Sequence, residues 1–181
     1  SEVEALTVTQ MSFLTSAQAE ALTVKQICYL TSLQLSALNA TQIAQFSTSE
    51  IASLSQTQLQ GLTSSDIGEL ATTQINALTE TQLSLLSSTQ INGLSQRQVA
   101  ALTTAQLANL STTQLASFTV KQFSTLPFTE IQALSTAQTA ALPTTLMGAI
   151  TSLQLRAMTP EQIESLSATQ IGAIPCTALK G

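Results

Sequence analysis

Two thiols, Cys28 and Cys176, and ten carboxylates are the groups of this chain with most scope for chemistry, and no histidine accompanies them. Without an imidazole neither a Ser-His-Asp nor a Cys-His set can be assembled, and no glycine-rich phosphate loop occurs. The acids (Glu2, Glu4, Glu20, Glu50, Asp66, Glu69, Glu80, Glu130, Glu161 and Glu164) are scattered, with no recurring pair to divide acid and base work. Two thiols alone do not make a zinc site. The reading is of no enzyme, no cofactor and no metal. Five bases (Lys25, Arg97, Lys121, Arg156 and Lys180) leave a net charge of −5 and no basic patch, which points away from nucleic acid.

What recurs instead is a hydrogen-bonding constellation, clearest in Met158-Thr159-Pro160-Glu161-Gln162-Ile163. Set in rows of eight from Leu6, the chain runs through Gly181 as 22 rows without insertion or deletion, with the consensus L-[ST]-x-x-Q-[IL]-x-x. Leu at position one, Ser or Thr at position two and Gln at position five each occur in 17 rows, and with the apolar position six they make four positions that demand one joint explanation. A capping box supplies it. Thr159 caps a helix, Pro160 suits its first position, and Gln162 reaches back to the cap, as do the pairs Ser87 with Gln90 and Thr103 with Gln106. Met158 and Ile163, before the cap and at the fourth helical position, form a hydrophobic staple. Glu161 complements the helix start, and Glu164 belongs to a solvated face.

These caps must be carried by short elements. One continuous helix would need about 4.0 residues per turn to keep a period of eight on one face, against the helical value of about 3.6. The octad therefore predicts one helix of about six residues per row, stabilised by stacking on neighbouring rows. The expected fold is all-α, a solenoid of short capped helices forming a single domain over residues 1–181. A β-solenoid with Thr and Gln ladders is the alternative. No apolar run is long enough for a transmembrane helix.

The departures from the pattern carry further expectations. Ser1, Glu2 and Val3 fall in a truncated first row, which reads as a processed protein or a piece of a larger array. Phe13, Tyr29 and Cys28 mark the first rows as a modified cap or contact surface. Asn39, Glu50 and Asp66 are tolerable box substitutions, Ala71 lacks a capping side chain, and Gly61, Gly68 and Gly93 sit where a short helix ends. From Phe118 the pattern loosens: Pro127, Pro143 and Pro175 take the cap position, Leu146 replaces Gln, and Thr139 replaces the apolar residue. The sequons at Asn39 and Asn109 match what chance gives in a Ser/Thr-rich chain.

Cys28 lies in the third row and Cys176 in the last, too far apart along a solenoid for an internal bond. Pairing of Cys176 in one copy with Cys28 in the next is the expectation, a heterologous contact that propagates. With 8% charged residues and a surface of Ser, Thr, Gln and Ala, the chain suits contact with copies of itself. Thr at position four in 11 rows gives a second reading, since regular Thr arrays resemble those of ice-binding proteins.

Rows such as Leu86 to Gly93 and Leu102 to Asn109 resemble the tandem octapeptide arrays of large bacterial secreted and cell-surface proteins, over essentially the whole chain. The resemblance implies an extracellular spacer, adhesin stalk or fibre. Met158 to Ile163 is also similar to the helix start of TAL-effector repeats, a likeness that ends at the cap. The functional expectation is a structural subunit joining head to tail into an extracellular filament, with a monomeric adhesin or spacer as the alternative.

Overall fold

The computed structural model describes residues 2–180; Ser1 and Gly181, at the two ends of the row frame, lie outside them. After a short 3-10 turn, Glu2–Ala5, every octad forms one helix of four to six residues, and no strand occurs among the described residues. The fold is the all-α solenoid, and the β-solenoid alternative is excluded.

Two compact units divide the chain, Ser1–Leu94 and Ser95–Gly181. The first holds α1 (Val8–Ser12), α2 (Ser16–Glu20), α3 (Val24–Cys28), α4 (Ser32–Ser36), α5 (Ala40–Ile43), α6 (Thr48–Ala52), α7 (Gln56–Gly61), α8 (Ser64–Glu69), α9 (Thr72–Ala77), α10 (Glu80–Ser84) and α11 (Ser88–Gly93). The second holds α12 (Gln96–Ala100), α13 (Thr104–Ala108), α14 (Thr112–Ala116), α15 (Val120–Ser124), α16 (Phe128–Gln132), α17 (Thr136–Ala140), α18 (Thr144–Met147), α19 (Ser152–Ala157), α20 (Pro160–Glu164), α21 (Ala168–Ala173) and α22 (Cys176–Leu179).

Each row starts where its capping residue dictates. Thr159 is extended (φ −74°, ψ 158°), its hydroxyl accepts from the Gln162 N–H, and Pro160 follows at the first helical position. The helix then closes in a right-handed residue or runs directly into the next position-one residue, whose N–H donates to the position-six carbonyl, as Leu30 does to Ile27 at 3.0 Å. Every eighth residue thus restarts a helix in a new direction.

The packing partner corrects the expectation of neighbour-on-neighbour stacking. In the first unit α1 packs on α4, α2 on α5, α3 on α6 and α8 on α11; in the second, α12 packs on α15 and the pattern runs through to α19 on α22. Three rows therefore make one turn of coil in each unit. Positions one and six face its axis and are buried row after row, as in Leu38 with Ile43, Leu54 with Leu59, and Leu102 with Leu107. Such residues bring roughly 1.5–3 kcal/mol each, which four- to six-residue helices could not supply from their own backbone bonds.

Gly61 and Gly93 close α7 and α11 as their row positions predict, Gly68 lies one residue before the end of α8, and no described residue has a positive φ. Glycine also serves the packing. A Cβ on Gly61 would lie 3.1 Å from the Ser32 carbonyl oxygen, and one on Gly68 would lie 2.9 Å from that of Gly93. One on Gly93 would sink into the Ser64 backbone. These glycines let successive turns approach.

The proline rows keep the frame. Pro127, Pro143 and Pro175 are extended like the other caps, and α16, α18 and α22 follow them in step. Position five in the same three rows is Glu130, Leu146 and Ala178, never Gln. Proline has no N–H for a glutamine to reach back to, so one substitution removes the reason for the other. Thr139, in an apolar slot, is buried, and its hydroxyl donates to the Ser135 carbonyl at 3.0 Å.

Candidate functional site

The expected caps are all present. Thr159 N–H donates to Gln162 Oε1 at 2.8 Å and Gln162 N–H returns to Thr159 Oγ1 at 3.2 Å. Ser87 with Gln90 and Thr103 with Gln106 do the same, at 2.8 and 3.2 Å and at 3.0 and 3.1 Å. Ala71 keeps half a box, its N–H donating to Gln74 Oε1.

A capping box needs only an acceptor at position five, which a glutamate provides; the amide has a second task. Gln58 Nε2 donates to the carbonyls of Ile27 and Leu30, at 2.7 and 2.8 Å, both on the preceding turn. Gln90 does so to Leu59 and Leu62 at 2.6 and 2.7 Å, Gln154 to Phe123 and Leu126 at 2.9 Å, and Gln162 to Ile131 and Leu134 at 2.9 and 2.6 Å. The partners stand 31 and 28 residues back, position six of one row and position one of the next. Each amide thus fastens the start of a helix to the turn beneath it. Gln58, Gln90, Gln154 and Gln162 are buried with both amide atoms bonded, which removes the cost of burying them. Sequence reading misses this bond, although 17 glutamines against three acids from Leu6 onward is the trace a required donor leaves.

The acid rows show what is lost. Buried Glu50 and Asp66 still accept the cap N–H of Ser47 at 2.6 Å and Thr63 at 2.7 Å, but a carboxylate has no N–H for the preceding turn. Glu130, opposite Pro127, has no cap N–H and accepts instead from the Thr129 hydroxyl. Glu161 is held below the usual carboxylate value by its own backbone N–H at the helix start and then by the Thr159 hydroxyl.

The two end turns are unlike. Gln10 and Gln18 are exposed and Gln26 half-buried, whereas Gln34, the next along, is 6% exposed. Their Oε1 atoms take the cap N–H of Thr7, Thr15 and Thr23 at 2.8, 2.8 and 2.9 Å, yet among the described residues Nε2 of each meets no carbonyl. At the other end position six loses its cover. Ile163, Ile171 and Leu179 are 37%, 51% and 65% exposed, where Ile27, Ile75 and Leu83 are fully buried. The carbonyls of Leu166 and Ile174 receive no amide among the described residues.

Both cysteines are free and exposed, and Cys28 Sγ lies 4.0 Å from the Ser53 carbonyl on the following turn. The position-four threonines are exposed, but the three-row turn separates them into columns; α1, α4, α7 and α10 carry Thr9, Leu33, Thr57 and Thr81, so this column is broken by leucine. Asn39 serves as a cap, accepting from Gln42 N–H at 3.0 Å, and Asn109 Nδ2 donates to the Ala105 carbonyl at 2.9 Å. No group of three His, Cys, Asp or Glu placed to hold a metal ion occurs among the described residues, and no helix there is long and apolar enough to cross a membrane. No protein-family model matches the chain, and no curated protein matches it.

Proposed function

We propose that this chain is a non-enzymatic structural protein that joins copies of itself head to tail into an extracellular filament or surface fibre. The observation that carries the reading is one coil plan repeated in every row, which a copy joined end on end would continue. Unlike ends make a heterologous contact, and such contacts close into rings or propagate. The repeated positions support the same reading, since position two caps, position five fastens turns, and positions one and six fill the axis. What faces outward is largely Ser, Thr, Ala and Gln, with little charge to keep copies apart. The likeness to octapeptide arrays of bacterial secreted proteins favours an extracellular address.

Cys28 and Cys176, both exposed, offer an added covalent lock between copies on this reading. Sedimentation of the native protein over a range of concentrations tests the polymer, and a denaturing gel with and without reductant tests the lock. Species that grow with concentration support the polymer. A ladder that collapses to monomer on reduction supports the lock, and polymer without a ladder discards it. Monomers at every concentration favour the adhesin or spacer reading.

A further inference from the structure

We infer that Asn39 is an acceptor for an N-linked sugar that the folded chain keeps open, and that Asn109, the other N-x-[ST] asparagine, is closed by the fold. As motifs the two are equivalent; their hydrogen bonds separate them. In Asn39-Ala40-Thr41 the asparagine is exposed and extended (φ −81°, ψ 164°), standing just before α5. Its Oδ1 accepts from the Gln42 N–H at 3.0 Å, so the cap uses the oxygen and leaves the amide nitrogen, Nδ2, with no bond among the described residues. Thr41 is also exposed, and its hydroxyl has no partner there either. A transferase that reads this motif needs those two groups, the nitrogen as nucleophile and the hydroxyl as recognition mark.

In Asn109-Leu110-Ser111 both groups are engaged. Asn109 Nδ2 donates to the Ala105 carbonyl at 2.9 Å, Leu110 is buried, and the Ser111 hydroxyl caps α14 by accepting from the Gln114 N–H at 3.2 Å. The surroundings of Asn39 have room as well. α2 on the preceding turn and α8 on the following one pack against α5, and at the row positions of Asn39 and Thr41 they carry Thr15 with Ala17 and Thr63 with Ser65, all exposed, small and uncharged. Their hydroxyls suit hydrogen bonding to a sugar.

The step needs one co-reactant, a sugar whose anomeric carbon carries a diphosphate. Nδ2 attacks that carbon, the C–O bond to the diphosphate breaks, the diphosphate leaves with the bonding electrons, and an amide proton passes to a base of the transferase. Oδ1 stays in place, so the modified chain keeps its cap. Of the proposed function the inference uses only the extracellular address, and it does not depend on copies joining.

The test offers the purified, folded 181-residue protein a nucleoside-diphosphate hexose with a soluble motif-reading transferase and, separately, a lipid-diphosphate oligosaccharide with a solubilised one. A short Asn-Ala-Thr peptide is the positive control in each, and peptide mass spectrometry locates the sugar. The expected product carries one sugar, on Asn39, formed at a rate on the order of tenfold above any at Asn109, which must first give up its hydrogen bond. The reaction that yields it identifies the donor class. Asn39→Asp and Thr41→Val abolish the product. Aspartate keeps an oxygen for the Gln42 N–H and removes only the nitrogen, so the melting temperature does not fall. Asn109→Asp leaves the product unchanged. No sugar on the folded parent in either reaction, or equal labelling of Asn39 and Asn109, overturns the inference, and the filament reading is then still decided by sedimentation.

Discussion

Position five shows how much one side chain does here and how little of it is legible in sequence. The reach from Gln162 back to Thr159 is local and can be read directly. The reach from Gln162 Nε2 to Ile131 and Leu134 spans a whole turn, and only the coil reveals it. Gln58→Glu should cost about 1–3 kcal/mol, since it leaves the Ile27 and Leu30 carbonyls buried without their donor. The reverse change, Glu50→Gln, should add about 1 kcal/mol by supplying a donor where the chain lacks one. Denaturant midpoints of both variants check the pair, and equal shifts of one sign would refute the donor argument. Glu161 bears on pH. Its value is lowered in the folded chain, so its contribution is present above the ordinary carboxylate range and fades as pH falls through the folded value. A carboxyl titration by NMR should place Glu161 below the ordinary carboxylate value, and Thr159→Ala should move it back upward.

Helices of four to six residues hold because most are capped at one end and stacked on the third row along. The caps are legible because their partners are local; the stacking is not, because a period of eight fixes the length of a row and says nothing of how many rows make a turn. Glycine is half legible for the same reason. Gly93 ends α11 as its row position predicts, but that its missing Cβ leaves room for the Ser64 backbone, one turn away, is not visible in sequence. Gly93→Ala should therefore cost about 1–3 kcal/mol, by forcing α8 and α11 apart. Gly172, also in a helix, has nothing within 4 Å of a built Cβ. Gly172→Ala should stabilise by about 0.5–1 kcal/mol through the helix propensity of alanine. Thermal melts of the two variants in dilute protein separate a packing role from a terminating one, which would penalise both.

At the scale of the molecule, the chain forms two units built on one repeating plan, with three rows to each turn. All-helical architecture is legible in the capping box repeated in register, because Thr159-Pro160-Glu161-Gln162 is a helix-start signal that a β-solenoid with Thr and Gln ladders does not call for. The exposure of Gln10 or Ile171 does not follow, because it depends on which turn covers which. In a stacked array of this kind stability grows with each turn added, so joining copies should protect the end turns most. Hydrogen exchange at α1 and α21 should slow on assembly, while exchange at α8 and α14 stays nearly constant. Electron microscopy of the native 181-residue protein across concentration tests the central claim most directly. Head-to-tail association predicts unbranched filaments that lengthen with concentration and disperse on dilution in reducing buffer, and particles of single-chain size at every concentration would contradict it.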